Sequence, residues 1–142
     1  MQKQPTIAQY ASTQIASRMG RLVFESKRCA RSLDADAVHD LRVSIRRFNQ
    51  SLRTFLSLLP GREARKVRRQ ARKVMRLAGE VRNLDVALEW LAKAGITRRS
   101  PLWNRLNEQR RAAERGLAET LKQNGKRDFS SRWRSSLRLD GA

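Results

Sequence analysis

The chain has 142 residues, enough for one domain with a real core, and carries 32 Lys+Arg against 13 Asp+Glu for a formal net charge of +19. That balance points to a polyanionic partner: nucleic acid, an acidic membrane surface or a phosphate polymer. A single cysteine, Cys29, excludes an internal disulfide and fits a reducing compartment, and no stretch approaches the ~20 consecutive apolar residues of a membrane span. The opening residues, Met1 to Pro5, lack the apolar core of a secretory signal, so the expectation is a soluble cytoplasmic protein.

Helical periodicity dominates, and no convincing period-2 strand is present. A first helix is predicted from about Thr6 to Ala30, with Ile7, Ala11, Ile15, Met19, Leu22 and Val23 on one face. Ser32-Leu33-Asp34-Ala35-Asp36 breaks it and offers N-caps for a second helix reaching Leu59. At ~100° per residue, Val38, Leu41, Ile45, Phe48, Leu52, Phe55 and Leu59 fall on one arc of that helix. His39, Arg42, Arg46, Gln50 and Arg53 form a stripe beside it. Pro60-Gly61 is a hard stop. The next predicted helix, Arg62 to Gly79, places Val67, Ala71, Val74, Met75 and Ala78 inward and Arg62, Arg65, Arg69, Arg72, Lys73 and Arg76 outward. Gly79 permits a bend, and Val81 to Ala94 reads as a shorter helix ending at Gly95.

Ser100 as N-cap and Pro101 at the first helical position open a further helix to about Gln123, carrying Trp103, Leu106, Ala113, Leu117 and Leu121. Asn124-Gly125 is expected to end it, and Phe129, Trp133 and Leu137 mark a short final helix. Short connections between amphipathic helices give an all-α fold: an antiparallel helical bundle of five to six helices with long amphipathic hairpins, in a single domain over 1–142.

The chemistry open to these residues is binding. One His and one Cys make no metal cluster, and the chain has no Gly-rich phosphate loop and no carboxylate pair placed for acid–base work. The expectation is a protein that is not an enzyme and needs no cofactor or metal. From Arg42 to Arg82 there are thirteen Lys/Arg and two acids, Glu63 and Glu80. Arg42 and Arg46 are one turn apart and Arg53 about two turns on, a row of like charges that costs repulsion unless an anion answers it. Guanidinium pairs with phosphate through two parallel N–H···O bonds and stays charged at any relevant pH.

Arg47, Arg62, Lys66 and Arg68 are expected to do no more than solvate the surface. His39 either donates to a phosphate or hydrogen-bonds a neighbour. Arg110, set among Trp103, Leu106, Ala113 and Leu117, either snorkels past the core or points into the same groove. Single-strand nucleic-acid binders interleave aromatics with their cations. Here Phe48, Phe55, Trp90 and Trp103 are expected to face the core, which leaves stacking without a platform and duplex-backbone binding as the alternative function.

Two stretches resemble a known family. Asp34-x-x-Ala37-Val38-His39-Asp40-Leu41-Arg42-Val43-x-x-Arg46-Arg47, followed by Leu52-Arg53-x-Phe55, is similar to the first motif helix of CHAD domains, the conserved-histidine α-helical domains. Leu77-Ala78-Gly79-x-x-Arg82-Asn83-x-Asp85-Val86 resembles their second motif, a glycine followed by Arg-Asp-x-Asp-Val. The resemblance implies an all-helical domain that binds inorganic polyphosphate in a basic groove, sometimes beside a phosphate-polymer enzyme or at polyphosphate granules. By motif position it assigns binding to His39, Arg42, Arg46, Arg53, Arg72 and Arg82, with Arg65, Arg69, Lys73, Arg76 and Arg110 as further candidates. Arg82 beside Asp85 has a structural alternative, an ion pair. Asn49 and Asn83 depart from the family pattern. The chain is expected to supply the first half of a two-bundle domain, either as a fragment or as a homodimer that rebuilds the groove.

Overall fold

Four of the five α-helices start where the sequence supplies a side-chain cap; α3 follows Pro60 without one. In the computed structural model, which describes residues 4–139, α1 (Ile7–Arg31) opens on a capping box in which Thr6 and Gln9 satisfy each other's backbone N–H groups. Residues 1–3 and 140–142, the two ends of the expected 1–142 domain, lie outside the described residues. Asp34 caps α2 (Ala35–Thr54) by accepting from the Ala37 N–H at 2.8 Å. Ser100 with Pro101 at the first position opens α4 (Pro101–Lys126). Asp128 caps α5 (Phe129–Ser136).

Between α2 and α4 the helices predicted on either side of Gly79 are one: α3 runs unbroken over Gly61–Lys93, about 50 Å at ~1.5 Å per residue. A mid-helix glycine costs about 1 kcal/mol relative to alanine. That is too little to break a helix whose Val74, Ala78 and Val81 are buried on both sides of it. Asn124-Gly125 likewise fails to end α4. The reversal comes at Asp128, whose left-handed backbone (φ 47°) turns the chain into α5. Gly95, with φ +78°, occupies the left-handed position just past α3, as expected of a C-terminal glycine.

The helices form an all-α bundle, with no strand among the described residues. α1 packs on α2, α2 on α3 and α3 on α4, and α4 returns to α1. The expected arcs of α1 and α2 meet those of α3 around one core, with Ile15, Met19, Leu41, Ile45, Phe48 and Val81 fully buried. α5 closes one side: Trp133 stacks on Phe48 with ring centroids 5.5 Å apart, and its indole N–H donates to Gln70 Oε1 at 2.8 Å.

Four expected core positions lie elsewhere. Ile7, in the first turn of α1, is 72 % exposed. α2 stops at Thr54, so Phe55 and Leu59 are half-buried around a 3-10 turn at Leu56–Leu58. Trp90 is 71 % exposed. The reason is length: the α3–α4 hairpin outruns α1 and α2, and no residue from Val86 to Gly116 is buried. Among the described residues, no helix is long and apolar enough to cross a membrane.

Candidate functional site

α2 has two flanks beside its buried arc. One faces α1: Asp40 accepts from Arg28 at 2.6 Å, and Arg47 and Ser51 line a cleft with Tyr10 and Arg18. Two residues further on, a helix has turned by ~200°. Arg42 and Asn49 therefore lie on the other flank, toward α3, with Arg46 and Arg53 beside them. α3 presents its own edge to this flank. Gln70 and Lys73 of α3 face α4 and α5, so the stripe holding Arg68, Arg72, Met75 and Arg82 turns to α2. The Phe48–Trp133–Gln70 contacts set the level at which the antiparallel helices meet. At ~1.5 Å per residue that level sets Arg53 opposite the first turns of α3, Arg46 opposite its middle and His39 opposite the turn holding Gly79.

Burial separates the members of this groove. Arg42 and Arg82 are half-buried, whereas His39, Arg46, Arg53 and Arg72 are exposed. Arg42 Nε is fully buried without a hydrogen-bond partner, and so is Arg68 Nε on the facing helix. Arg68, which the sequence reading set aside as solvated, thus belongs to the seam. The overlooked signal was its spacing: Ala64 and Ala71 flank it one turn away on either side, both buried and small enough to admit an arginine stem. Asn49 Oδ1, on the same flank of α2 as Arg42, is also buried without a partner.

No carboxylate answers these charges. Among the described residues, the ion pairs use Arg21, Arg28 and Arg110 as their cations. Arg21 and Arg28 serve the buried Glu25, at 2.8 and 3.3 Å, and Arg28 also pairs with Asp40. The Asp40 hydrogen bond raises the pKa of Arg28 further.

Arg110 is withdrawn from the groove. Its guanidinium pairs with Asp85 and Glu114 and reaches the Leu33 carbonyl at 3.5 Å, tying α3 and α4 to the α1–α2 turn. The same geometry answers the question of Arg82: the partner of Asp85 is Arg110, and Arg82 makes no ion pair among the described residues. Arg65, Arg69 and Arg76 are exposed on the outward face of α3, next to the groove. Lys73 lies around the helix from it and lines a separate recess with α4 and α5. Gln50 lines the α1–α2 cleft.

Among the described residues, no three His, Cys, Asp or Glu side chains come together as a metal site. Burial pushes the Cys29 thiol up to about 12, with the nearby Glu25 charge adding to the shift, so it is protonated and inert.

The fold and groove define a helical domain that presents cations from two adjacent helices without acids to neutralise them. Residues 13–142 match the CHAD domain, and the chain belongs to that family. CHAD domains are associated with polyphosphate and triphosphate binding. Comparison with curated proteins and with solved structures gave no match.

Proposed function

We propose that this chain binds inorganic polyphosphate, without catalysis, along the α2–α3 groove through Arg42, Arg46, Arg53, Arg72 and Arg82, with Arg68 added and His39 at its edge. The observation that carries this reading is the pair of buried, unpartnered Nε atoms of Arg42 and Arg68 on facing helices. Desolvating a cationic group is costly without a counter-charge. A chain of phosphates supplies one at a ligand surface where the protein does not. Each phosphate takes two parallel N–H···O bonds from a guanidinium, and neutralising several charges releases condensed counterions. The polymer offers no bases, and the groove offers no aromatic among its cations. In the same reading two copies pair about a two-fold axis to extend the groove, and the domain serves a phosphate-polymer enzyme in the cytoplasm or at polyphosphate granules.

The second reading, non-specific nucleic-acid binding, draws on one observation: Trp90 stands exposed on α3 two turns beyond Arg82, a single stacking surface at the end of the groove. A salt-matched competition between long-chain polyphosphate and double-stranded DNA separates the two. Polyphosphate that wins by orders of magnitude at equal phosphate concentration supports the groove as a polyphosphate site. Equal competition makes it a general polyanion surface and moves the second reading to first place.

A further inference from the structure

The left-handed turn at Asp128 folds α5 back against α3, and this reversal gathers a second set of cations. Arg127 at the end of α4, Arg132 on α5 and Lys73 on α3 line one recess of about 170 Å³. None of its lining residues is acidic. The neighbouring Asp128 carboxylate is engaged by the Ser130 and Ser131 hydroxyls and the Ser131 N–H, and it lines a different recess, with Lys27. Neutral donors complete the lining: the Thr120 hydroxyl and the Gln123 and Asn124 amides. The walls are rigid, because Trp133 is held by its stack on Phe48 and its bond to Gln70, and Phe129 packs edge-on against it at 4.9 Å.

We infer that this recess is a second anion site, distinct from the α2–α3 groove, and that it takes a small phosphate group such as pyrophosphate. Three like charges from three separate elements converge without a carboxylate, and an anion relieves that repulsion. Size fixes the class. The volume, about 170 Å³, falls below the ~300 Å³ at which pockets begin to hold drug-sized ligands. A phosphate or diphosphate fits. The same chemistry could reach the recess as free pyrophosphate or as a segment of a phosphate polymer crossing the outward face of α3 over Arg69 and Arg76.

The test is a pyrophosphate titration of the full chain at fixed ionic strength, followed by backbone and indole N–H shifts in two-dimensional NMR. The expected result is a saturable set of shifts at Asn124, Arg127, Arg132 and the Trp133 indole. These persist in Arg42→Ala/Arg46→Ala and fall at least tenfold in affinity in Lys73→Ala/Arg132→Ala, whose two positions are exposed. Shifts spread over all basic residues without saturation, or an unchanged response in Lys73→Ala/Arg132→Ala, overturn the site whatever the fate of the groove. A parallel titration with long-chain polyphosphate identifies the source. Weaker binding by Lys73→Ala/Arg132→Ala makes the occupant a polymer segment, and unchanged binding makes it a free small phosphate.

Discussion

Arg110 distinguishes a cation used for folding from one used for binding, and Arg110→Met tests the distinction. Its side chain is 21 % exposed and its partners Asp85 and Glu114 are 10 % and 27 % exposed. Methionine keeps the unbranched stem and the helix propensity of the side chain, so the substitution removes chiefly the guanidinium, with its charge and hydrogen bonds. It leaves Asp85, whose second carboxylate oxygen is already buried without a partner, with no counter-charge. Breaking a fully buried pair costs about 3–5 kcal/mol, and the partial exposure here brings the expectation to about 2–3 kcal/mol. At about 3–4 °C per kcal/mol for a chain of this size, the midpoint should fall by about 6–12 °C. Thermal unfolding by far-UV circular dichroism reads that shift. Polyphosphate affinity, measured well below the new midpoint, should stay within about twofold. An unchanged midpoint, or a folded variant whose affinity drops more than tenfold, would refute the structural role.

Four further outcomes follow from the same structure. Arg42→Ala with Arg46→Ala should keep its helicity and lose about 3 kcal/mol of polyphosphate binding, roughly a hundredfold in Kd, the exposed Arg46 contributing less than Arg42; isothermal titration checks it, and an unfolded double variant would make the stripe structural. Gly79→Ala should raise stability by about 1 kcal/mol, since an added Cβ meets nothing within 4 Å in a continuous helix; chemical denaturation measures it. Cys29 should resist thiol reagents in the native fold and react at the rate of unfolding, because burial holds it protonated. Asp34 and Asp128 have pKa values lowered, Asp34 chiefly by the Ala37 N–H and Asp128 chiefly by the Ser131 hydroxyl. A depressed carboxylate stabilises the fold above its unfolded pKa of about 3.9 and loses that contribution as pH falls through the folded value. The acid limb should therefore soften in Asp34→Asn and Asp128→Asn.

The sequence carries the fold wherever a local signal and a burial pattern agree. Asp34 and Ser100 cap the helices they were expected to cap, and the Val38–Leu52 arc is the buried face of α2. It misleads where a local breaker meets tertiary packing: Gly79 reads as a bend, yet burial on both sides of it holds one long helix. Trp90 misleads for the opposite reason, because an apolar residue in register with a core stripe is buried only where another helix is present to cover it. On the groove, the stripe of α2 could be read from spacing, whereas the partner stripe of α3 could not. Which of its many arginines turn to α2 depends on where α4 and α5 dock, and spacing alone does not separate Arg68 from the solvated arginines or Lys73 and Arg110 from the groove.

The overhanging α3–α4 hairpin gives the molecule two levels of cooperativity. Its distal part, from Val86 to Gln109, has no buried side chain, so its hydrogen bonds open without the core having to open. Asp85 and Arg110 stand where the hairpin leaves the bundle and mark the border between the two regimes. Amide exchange in the hairpin should be governed by local fraying and in α2 by global unfolding. The groove cations of α2 and the first two-thirds of α3 lie on the slow side of that border, so they are held in place while the tip of the hairpin, Trp90 included, moves independently.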